Sequence, residues 1–554
     1  MVSGKETDRR ESPVWRRALG GALILAILPA IFLGVALQLT KVSGPTWLST
    51  NFENNYPYLF NSLLLIDGHS PFWVDHPGTT TQILGAAVLR CFERGSSGQI
   101  VDTVINNPER FIKRIHRSLL VFSVIGLWFF PWLTALKIRS NITALLLQVP
   151  SLFFVTLIHY TIWFSSDLML IPWCIAAGCV SVELVHLRRT GGKLLRPVVL
   201  GGVVCALGIL TKLTFFPIIL IVFAAARGWR TRLIMGASFS VAAAVIAIPI
   251  YPRLPALVSW GTELATHTGG YGTGDIGFTR FDILWQGASS LISKEPMILW
   301  IPVLAAIATI LLQFSPGDKG NTTVKPPLIR TVLVLVGLQI IGFLLVAKHW
   351  GPHHLIPLYL STGLNLILLY EAIHSLGWRS IPAWLGAATL GGTLIWTLVG
   401  SSQGTLGLYR FLGESGKDEL SAYNRARARI KDALRVDYYR AGSPEFAAFF
   451  GNGYACDLFD NYERTNHFGH LLAARYPGTL FTMFFDSDMK FYTFTQEFDP
   501  ASVISEHDHF YLLGNHSDGR YDKDHLMPIP GINPKDIKEV DDGGYLYLDE
   551  WERP

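Results

Sequence analysis

About eleven apolar runs, most of them near the ~20 residues a helix needs to cross ~30 Å of hydrocarbon, leave this chain little choice of solvent. They start near Leu19, Leu119, Ile142, Leu168, Val198, Thr214, Leu233, Met297, Thr331, Leu355 and Ile381. Of the 554 residues, 50% are hydrophobic and only 16% charged, which is too apolar for a water-soluble chain of this length. The expectation is an α-helical polytopic membrane protein with about eleven transmembrane helices and a small α/β C-terminal domain. The first run, Ala18 to Leu39, is too long for a signal-peptide core and has no convincing small-residue cleavage site, so it reads as a retained span.

Charge sets the orientation. Arg9, Arg10, Arg16 and Arg17 precede the first run, Lys137 and Arg139 follow the second, and Arg188, Arg189, Lys193 and Arg196 follow the fourth. Arg227, Arg230 and Arg232, then Lys319, Lys325 and Arg330, then Arg379 continue the alternation. Basic loops stay cytoplasmic, so residues 1–17 form a cytoplasmic segment and an odd span count puts the C-terminus on the other side of a plasma or inner membrane. The transmembrane module is expected over 18–400, with outer loops at 41–115 and 251–295 and an extracytoplasmic domain at 401–554. Val198 to Arg227 is the pivot: Thr211, Lys212 and Leu213 split it into two short halves, and as one span it would invert everything after it. The net charge of +4 is spread over these short clusters, which sets nucleic acid aside. Cys91 and Cys456 are the two cysteines outside apolar runs, so one bridge is the most that five cysteines offer.

The tail has short β-like runs at Thr479 to Phe485, Phe491 to Thr495 and His509 to Leu513. It ends in EVDDGGYLYLDEW, whose Asp-Gly-Gly turn marks a hairpin. Glu419 to Arg440, rich in Ala, Arg and Lys, reads as its leading helix. No internal repeat is evident, which counts against transporters built from inverted repeats.

Ionisable groups at span edges are costly unless paired or in use. Glu53, Asp67, Asp75 and His76 fall in the first outer loop, His159 and Asp167 bracket the next outer turn, Lys212 sits at the one after, and Lys348, His349, His353 and His354 at the last. Acids, imidazoles and ammonium groups at one depth point to a polar cavity that handles an anion beside a proton transfer. Blander readings exist for most of them: Asp67 as a solvated surface group, and His349, His353 and His354 as anchors of a helix end. Lys212, between LGIL and LTFF, resists that reading, because an unpaired ammonium there costs a few kcal/mol.

The segment NFENNYPYLFNSLLLIDGHSPFWVDHPGTTTQILG, then SSDLMLIPW (Ser165 to Trp173), GVVCALGILTKLTFFPIIL (Gly202 to Leu220) and KHWGPHHLIPLYL (Lys348 to Leu360) follow one another in order. In that order they resemble the GT-C superfamily of membrane glycosyltransferases, especially protein O-mannosyltransferases and lipid A aminoarabinose transferases, across roughly residues 15 to 400. The resemblance implies transfer of a sugar from a polyprenyl-phosphate lipid to a hydroxyl of a glycan, lipid or protein acceptor at the outer face, with inversion at the anomeric centre. It implies Glu53 as base and Asp167 as a second carboxylate, with His76, Lys212, Lys348, His349, His353 and His354 toward the donor phosphate. The family usually has Asp, often beside another acid, where this chain has Glu53 followed by Asn54 and Asn55. Either Glu53 or Asp75 therefore fills the role of base.

FFDSDMKF sets Asp486 and Asp488 two residues apart, the spacing at which two carboxylates share a divalent ion such as Mg or Mn with a diphosphate; a solvated strand end is the commoner meaning. Neither a GxxxxGK loop nor an HExxH pair is present. Besides the transferase, two readings stay open: a transporter or flippase for a lipid-linked sugar or other anionic lipid, and a membrane scaffold whose tail does the work.

Overall fold

The computed structural model describes residues 14–552 apart from 76, 269–273, 278–280, 315–324, 347–350, 377–380, 431–432, 439, 458–464, 483–490, 499–501, 503–505, 516–536 and 543–545. His76, Lys348, His349, Asp486 and Asp488 thus lie outside the described residues.

The chain opens with α1 (Val14–Val42), then three helices of the first loop, α2 (Phe52–Ile66), α3 (Thr79–Phe92) and α4 (Ser97–Asn106). The long α5 (Pro108–Ile138) follows, then a broken climb through α6 (Asn141–Gln148), α7 (Pro150–Phe153) and α8 (Val155–His159), and then α9 (Ser166–Thr190). Next come α10 (Leu195–Thr211), α11 (Phe216–Ala225), α12 (Trp229–Ile246), α13 (Leu254–Thr266), α14 (Phe281–Lys294), α15 (Met297–Phe314), α16 (Lys325–Val346) and α17 (Ile356–Leu376). A helix of 50 residues, α18 (Ile381–Ile430), leads to the C-terminal unit.

Helices cover every expected apolar run, with α5 beginning well ahead of its run, at Pro108 rather than near Leu119. Among the described residues four are long and apolar enough to cross a membrane, Ala18–Val42, Pro108–Ile138, Ser166–Thr190 and Pro352–Ser375, or up to 7 if three bent pairs are each one span. The bends of 75°, 79° and 83° fall at Phe154, at Ala247 shortly before Pro249, and at Glu295 and Pro296. Proline removes an amide donor and clashes with the preceding turn, so an apolar run continues through it while the helix does not. The pivot at Thr211 to Leu213 is a hairpin. Phe215 covers Gly208 at its tip, and Val222 meets Gly201 further down, so α10 and α11 run antiparallel.

Close packing follows small residues. α5 and α9 run side by side in the same direction, with Ser123 Oγ donating to Leu168 O at 3.0 Å and Lys137 Nζ bonding Glu183 further along. Between these contacts a Cβ on Gly126 would collide with Pro172, so only glycine lets the helices approach there. At one end of the bundle Arg188 donates to Arg227 O and Arg189 pairs with Glu371.

The C-terminal unit has β1 (Arg435–Asp437), α19 (Pro444–Gly453), a helix at Gly469–Arg475, β2 (Thr479–Thr482), β3 (Phe491–Tyr492), β4 (Glu497–Phe498), β5 (His509–Asn515), β6 (Ile537–Asp542) and β7 (Leu546–Glu552). They form a sheet ordered β4-β3-β2-β1-β5-β7-β6, with β1 parallel to β2 and β5 and the remaining pairs antiparallel. The expected terminal hairpin is the β6–β7 pair. The boundary expected at 400/401 falls inside α18: Ser401 donates to Leu152 O, and Leu412 still packs with Leu39, Ile158 and Trp163. The leading helix of the tail is therefore the far end of α18, which begins at Ile381 and stops at Ile430, short of Arg440. Likewise 251–295, expected as a loop, contains α13 and α14. Cys91 and Cys456 are both free thiols.

Candidate active site

Four chain ends meet at the pole of the bundle opposite the arginines. α9 starts there behind Ser165, and Asp167 in its first turn accepts from Lys212 Nζ at 2.8 Å. Lys212 sits in extended backbone between α10 and the turn into α11 (φ −160°, ψ 136°), where the hairpin tip swings its side chain under α9. Both side chains are almost fully shielded, at 2% and 3% exposure. Two charges without water hold each other only through good geometry, and deleting one costs far more than deleting both.

The first loop closes over this pair. Thr80 in the first turn of α3 shares a 2.5 Å hydrogen bond with Thr211, and the Gly78 amide donates to Thr211 O at 3.1 Å. Gly78 has φ +60°, and a Cβ there would press on the Tyr58 ring, so glycine lets the loop lie flat on the hairpin tip. Upstream, Asn61 Oδ1 accepts from the amides of Phe72 and Trp73, while Gln82 donates to Trp73 O at 2.9 Å. Asp75 rides on this clamped loop, half-buried and bonded by the Trp73 side chain, and partial burial raises its pKa above the ordinary carboxylate value. Tyr58 of α2 bonds Ser166 beside Asp167 and feels the charges of both Asp167 and Asp75; burial keeps its phenol protonated.

Glu53 takes another direction. At 100° per residue it lies about 160° from Asn55 on α2. Asn55 faces α9, its Oδ1 accepting from the Phe164 amide at 2.8 Å, whereas Glu53 binds Arg440 of the C-terminal unit at 2.5 Å. The structure thus brings Asp167, Lys212 and the Asp75 loop together and turns Glu53 toward the tail. His353 and His354 stand at the same pole on the turn before α17: His353 Nδ1 bonds Tyr160 OH at 2.8 Å, and the two imidazoles are 3.9 Å apart. Among the described residues no group of three His, Cys, Asp or Glu is placed to hold a metal ion.

Several polar groups here escaped the sequence reading. Tyr58, Ser166 and Thr80 are uncharged, so nothing in a hydropathy scan marks them. Glu295 is buried just before α15 and accepts from the Thr156 amide at 2.9 Å; the signal for it was a carboxylate directly before Pro296 at a span start. Arg253, between α12 and α13, lays its guanidinium 3.8 Å from the Phe72 ring centre. Val74 packs beside it against Leu210 and Ile250, so this cation borders the Asp75 loop.

No family model matches the chain, and no curated protein matches it. Two solved structures of the Archaeoglobus fulgidus oligosaccharyltransferase superpose on it, both at 11% identity. One is the apo form, covering 84% of this chain and 69% of that one at a TM-score of 0.38. The other, tethered by a disulfide bond to an acceptor peptide with the NVT sequon, covers 85% and 69% at 0.37. Superpositions this loose assign neither a family nor a chemistry.

Proposed function

We propose that the protein is a GT-C-like glycosyltransferase that moves a sugar from a polyprenyl-phosphate lipid to an acceptor hydroxyl at the outer face of the membrane. The observation that carries this reading is the water-excluded Asp167–Lys212 pair with the Asp75 loop closed over it at one pole of an apolar bundle. A lipid-borne donor presents its phosphate at such a depth, and each hydrogen bond there is stronger than in water.

In this mechanism the acceptor oxygen attacks the anomeric carbon from the face opposite the phosphate, the carbon–oxygen bond to phosphate breaks, and polyprenyl phosphate leaves with the electron pair. The acceptor proton passes to a carboxylate. Of the two candidates Asp75 is the better supported, because burial raises its pKa and so makes it a stronger proton acceptor, and its loop is clamped within electrostatic reach of Tyr58, which also meets Asp167. Glu53 is occupied by Arg440. Asp167 orients Lys212, which with Arg253 and the imidazoles of His353 and His354 is assigned to the leaving phosphate; His76, Lys348 and His349 are further candidates.

The transporter reading needs polar groups inside the bundle, and Gln339, Ser361 and Asn365 supply a set between α16 and α17. Gln339 Nε2 donates to Ser361 Oγ at 2.8 Å, and Asn365 Nδ2 donates to Gln339 Oε1 at 3.1 Å. Uncharged and bonded to one another, they fit the clamps that hold membrane helices together, worth about 0.6–2 kcal/mol each.

The deciding experiment reconstitutes the full chain in nanodiscs with a panel of polyprenyl-phosphate sugars and follows the lipid by mass spectrometry. Release of sugar-free polyprenyl phosphate in the presence of acceptor is expected. In vesicles, passage of an intact sugar lipid across the bilayer with no bond broken would make the protein a transporter instead.

A further inference from the structure

α13 and α14 are thinly covered, with no buried residue on α13 and only Gly287 and Leu291 buried on α14. α14 carries three rows. Ile283, Leu284, Gly287 and Leu291 face the protein at a 200–300° sector, counted from Phe281 at 100° per residue. Asp282, Gln286, Ser289 and Ser293 form an exposed polar row near 110°. Phe281, Trp285, Ala288 and Ile292 form a third row near 15°, with Phe281 77%, Trp285 67% and Ile292 47% exposed. An exposed aromatic and aliphatic row beside an exposed polar row is the pattern of a helix lying along a water–hydrocarbon boundary. On α13 the apolar side is partly taken up by the protein, with Leu254 and Leu257 packed toward Val74 and Leu210 while Val258 stays exposed, and the other side carries exposed Ser259, Thr262, Glu263 and Thr266.

Direction and depth agree with this pattern. The segment containing α13 leaves α12 at 79°, and α14 meets α15 at 83°, so if α12 and α15 cross the bilayer the other two run along its plane. Both corners are tied to the pole that carries Asp167. At the first, Ile250 packs on Val74 and Leu210, two residues before Lys212; at the second, Glu295 accepts from Thr156 at the start of α8. A bridge between His267 and Ile276 joins the far sides of the two helices.

We infer that α13 and α14 form a ledge seated in one interface of the bilayer, with Phe281, Trp285 and Ile292 among the acyl chains and Gln286 and Ser289 in headgroup water. The partner of this surface is the lipid bilayer itself, and the ledge sets the headgroup plane at the level of the Asp167–Lys212 pair.

The test places a nitroxide singly at Phe281→Cys, Trp285→Cys, Ile292→Cys, Gln286→Cys and Ser289→Cys in a Cys91→Ser full-length chain. The protein is held in nanodiscs of phosphatidylethanolamine and phosphatidylglycerol, and power saturation is measured with oxygen and with a water-soluble nickel chelate. The oxygen-to-nickel accessibility ratio is expected to be several-fold higher at 281, 285 and 292 than at 286 and 289, with the three apolar sites at one shallow depth. Equal nickel access in the two rows would put the stripe in water. A depth that increases steadily from 281 to 292 would make α14 part of a crossing span. Either result overturns the ledge, whatever activity the same samples show.

Discussion

The two faces of α2 make the most instructive contrast in the molecule. One carries Asn55 and Tyr58 toward α9 and the Asp167–Lys212 pair, where exposure is 2–3%. The other carries Phe52, Glu53 and Tyr56 toward the C-terminal unit, with Phe52 edge-on to Phe446 and Phe450, Gly451 against Tyr56, and Glu53 on Arg440 at side-chain exposures of 39% and 29%. Both faces use an acid–base pair. Water decides what each pair is worth: at the inner face it cannot screen the charges, whereas at the outer face it can. The inner face is thus suited to chemistry and the outer one to docking.

The sharpest way to break this division is to compare acids across it. Asp75→Asn should cut transfer by about 10²–10⁴-fold, the usual contribution of a general base, with thermal unfolding little changed. Glu53→Gln in the same initial-rate assay should lose far less. If the order reverses, the base belongs to the docking face and the contrast fails. Because burial raises the Asp75 pKa, the acidic limb of the rate profile should also sit above the ordinary carboxylate range, with activity lost as pH falls through it.

Next in size is the buried pair. Lys212→Met strands a carboxylate without water and should cost about 3–5 kcal/mol in detergent unfolding, while the double variant Asp167→Leu with Lys212→Met should recover most of that stability. Transfer should be absent in both. A double variant as unstable as the single one would mean that the pair holds the pole together by more than its own charge balance.

How much of this could be read in advance follows from the same physics. Lys212 and Asp167 stood out because charge inside an apolar run is expensive, and each turned out to balance the other. The β6–β7 hairpin was legible from its Asp-Gly-Gly turn, and the α10–α11 hairpin from the break at Thr211. The corners were not, since hydropathy does not register a proline break such as Pro296, and α13 and α14 fell in a stretch read as a loop. Nor was the direction of Glu53: a carboxylate at the right place in a motif says nothing of which side of its helix will be covered by a domain nearly 400 residues later. Tyr58 and Thr80 act through neutral hydroxyls, which leave no mark in a charge or hydropathy pattern.

The docking face offers the two gentler tests. Glu419 lies about 10 Å along α18 beyond Leu412, at 1.5 Å per residue, and so outside the apolar part of the helix. It accepts from the Ser49 amide at 2.6 Å and is enclosed where Gly442 leaves room for it. Burial pushes its carboxyl from 4.5 up to about 7. A carboxyl whose folded pKa is raised stabilises the fold fully below its free value and loses that contribution as pH rises through the folded value. Hydrogen exchange at the Ser49 amide, corrected for intrinsic rate, should therefore slow as pH falls from about 8 to 5, and Glu419→Gln should flatten that dependence. The smallest effect is expected of Glu53–Arg440: a double-mutant cycle on a pair this exposed should return a coupling of about 0.2–1 kcal/mol, shrinking with salt. A coupling near that of Asp167–Lys212 would mean that water is excluded from both faces of α2, and the distinction between a chemical face and a docking face would lose its physical basis.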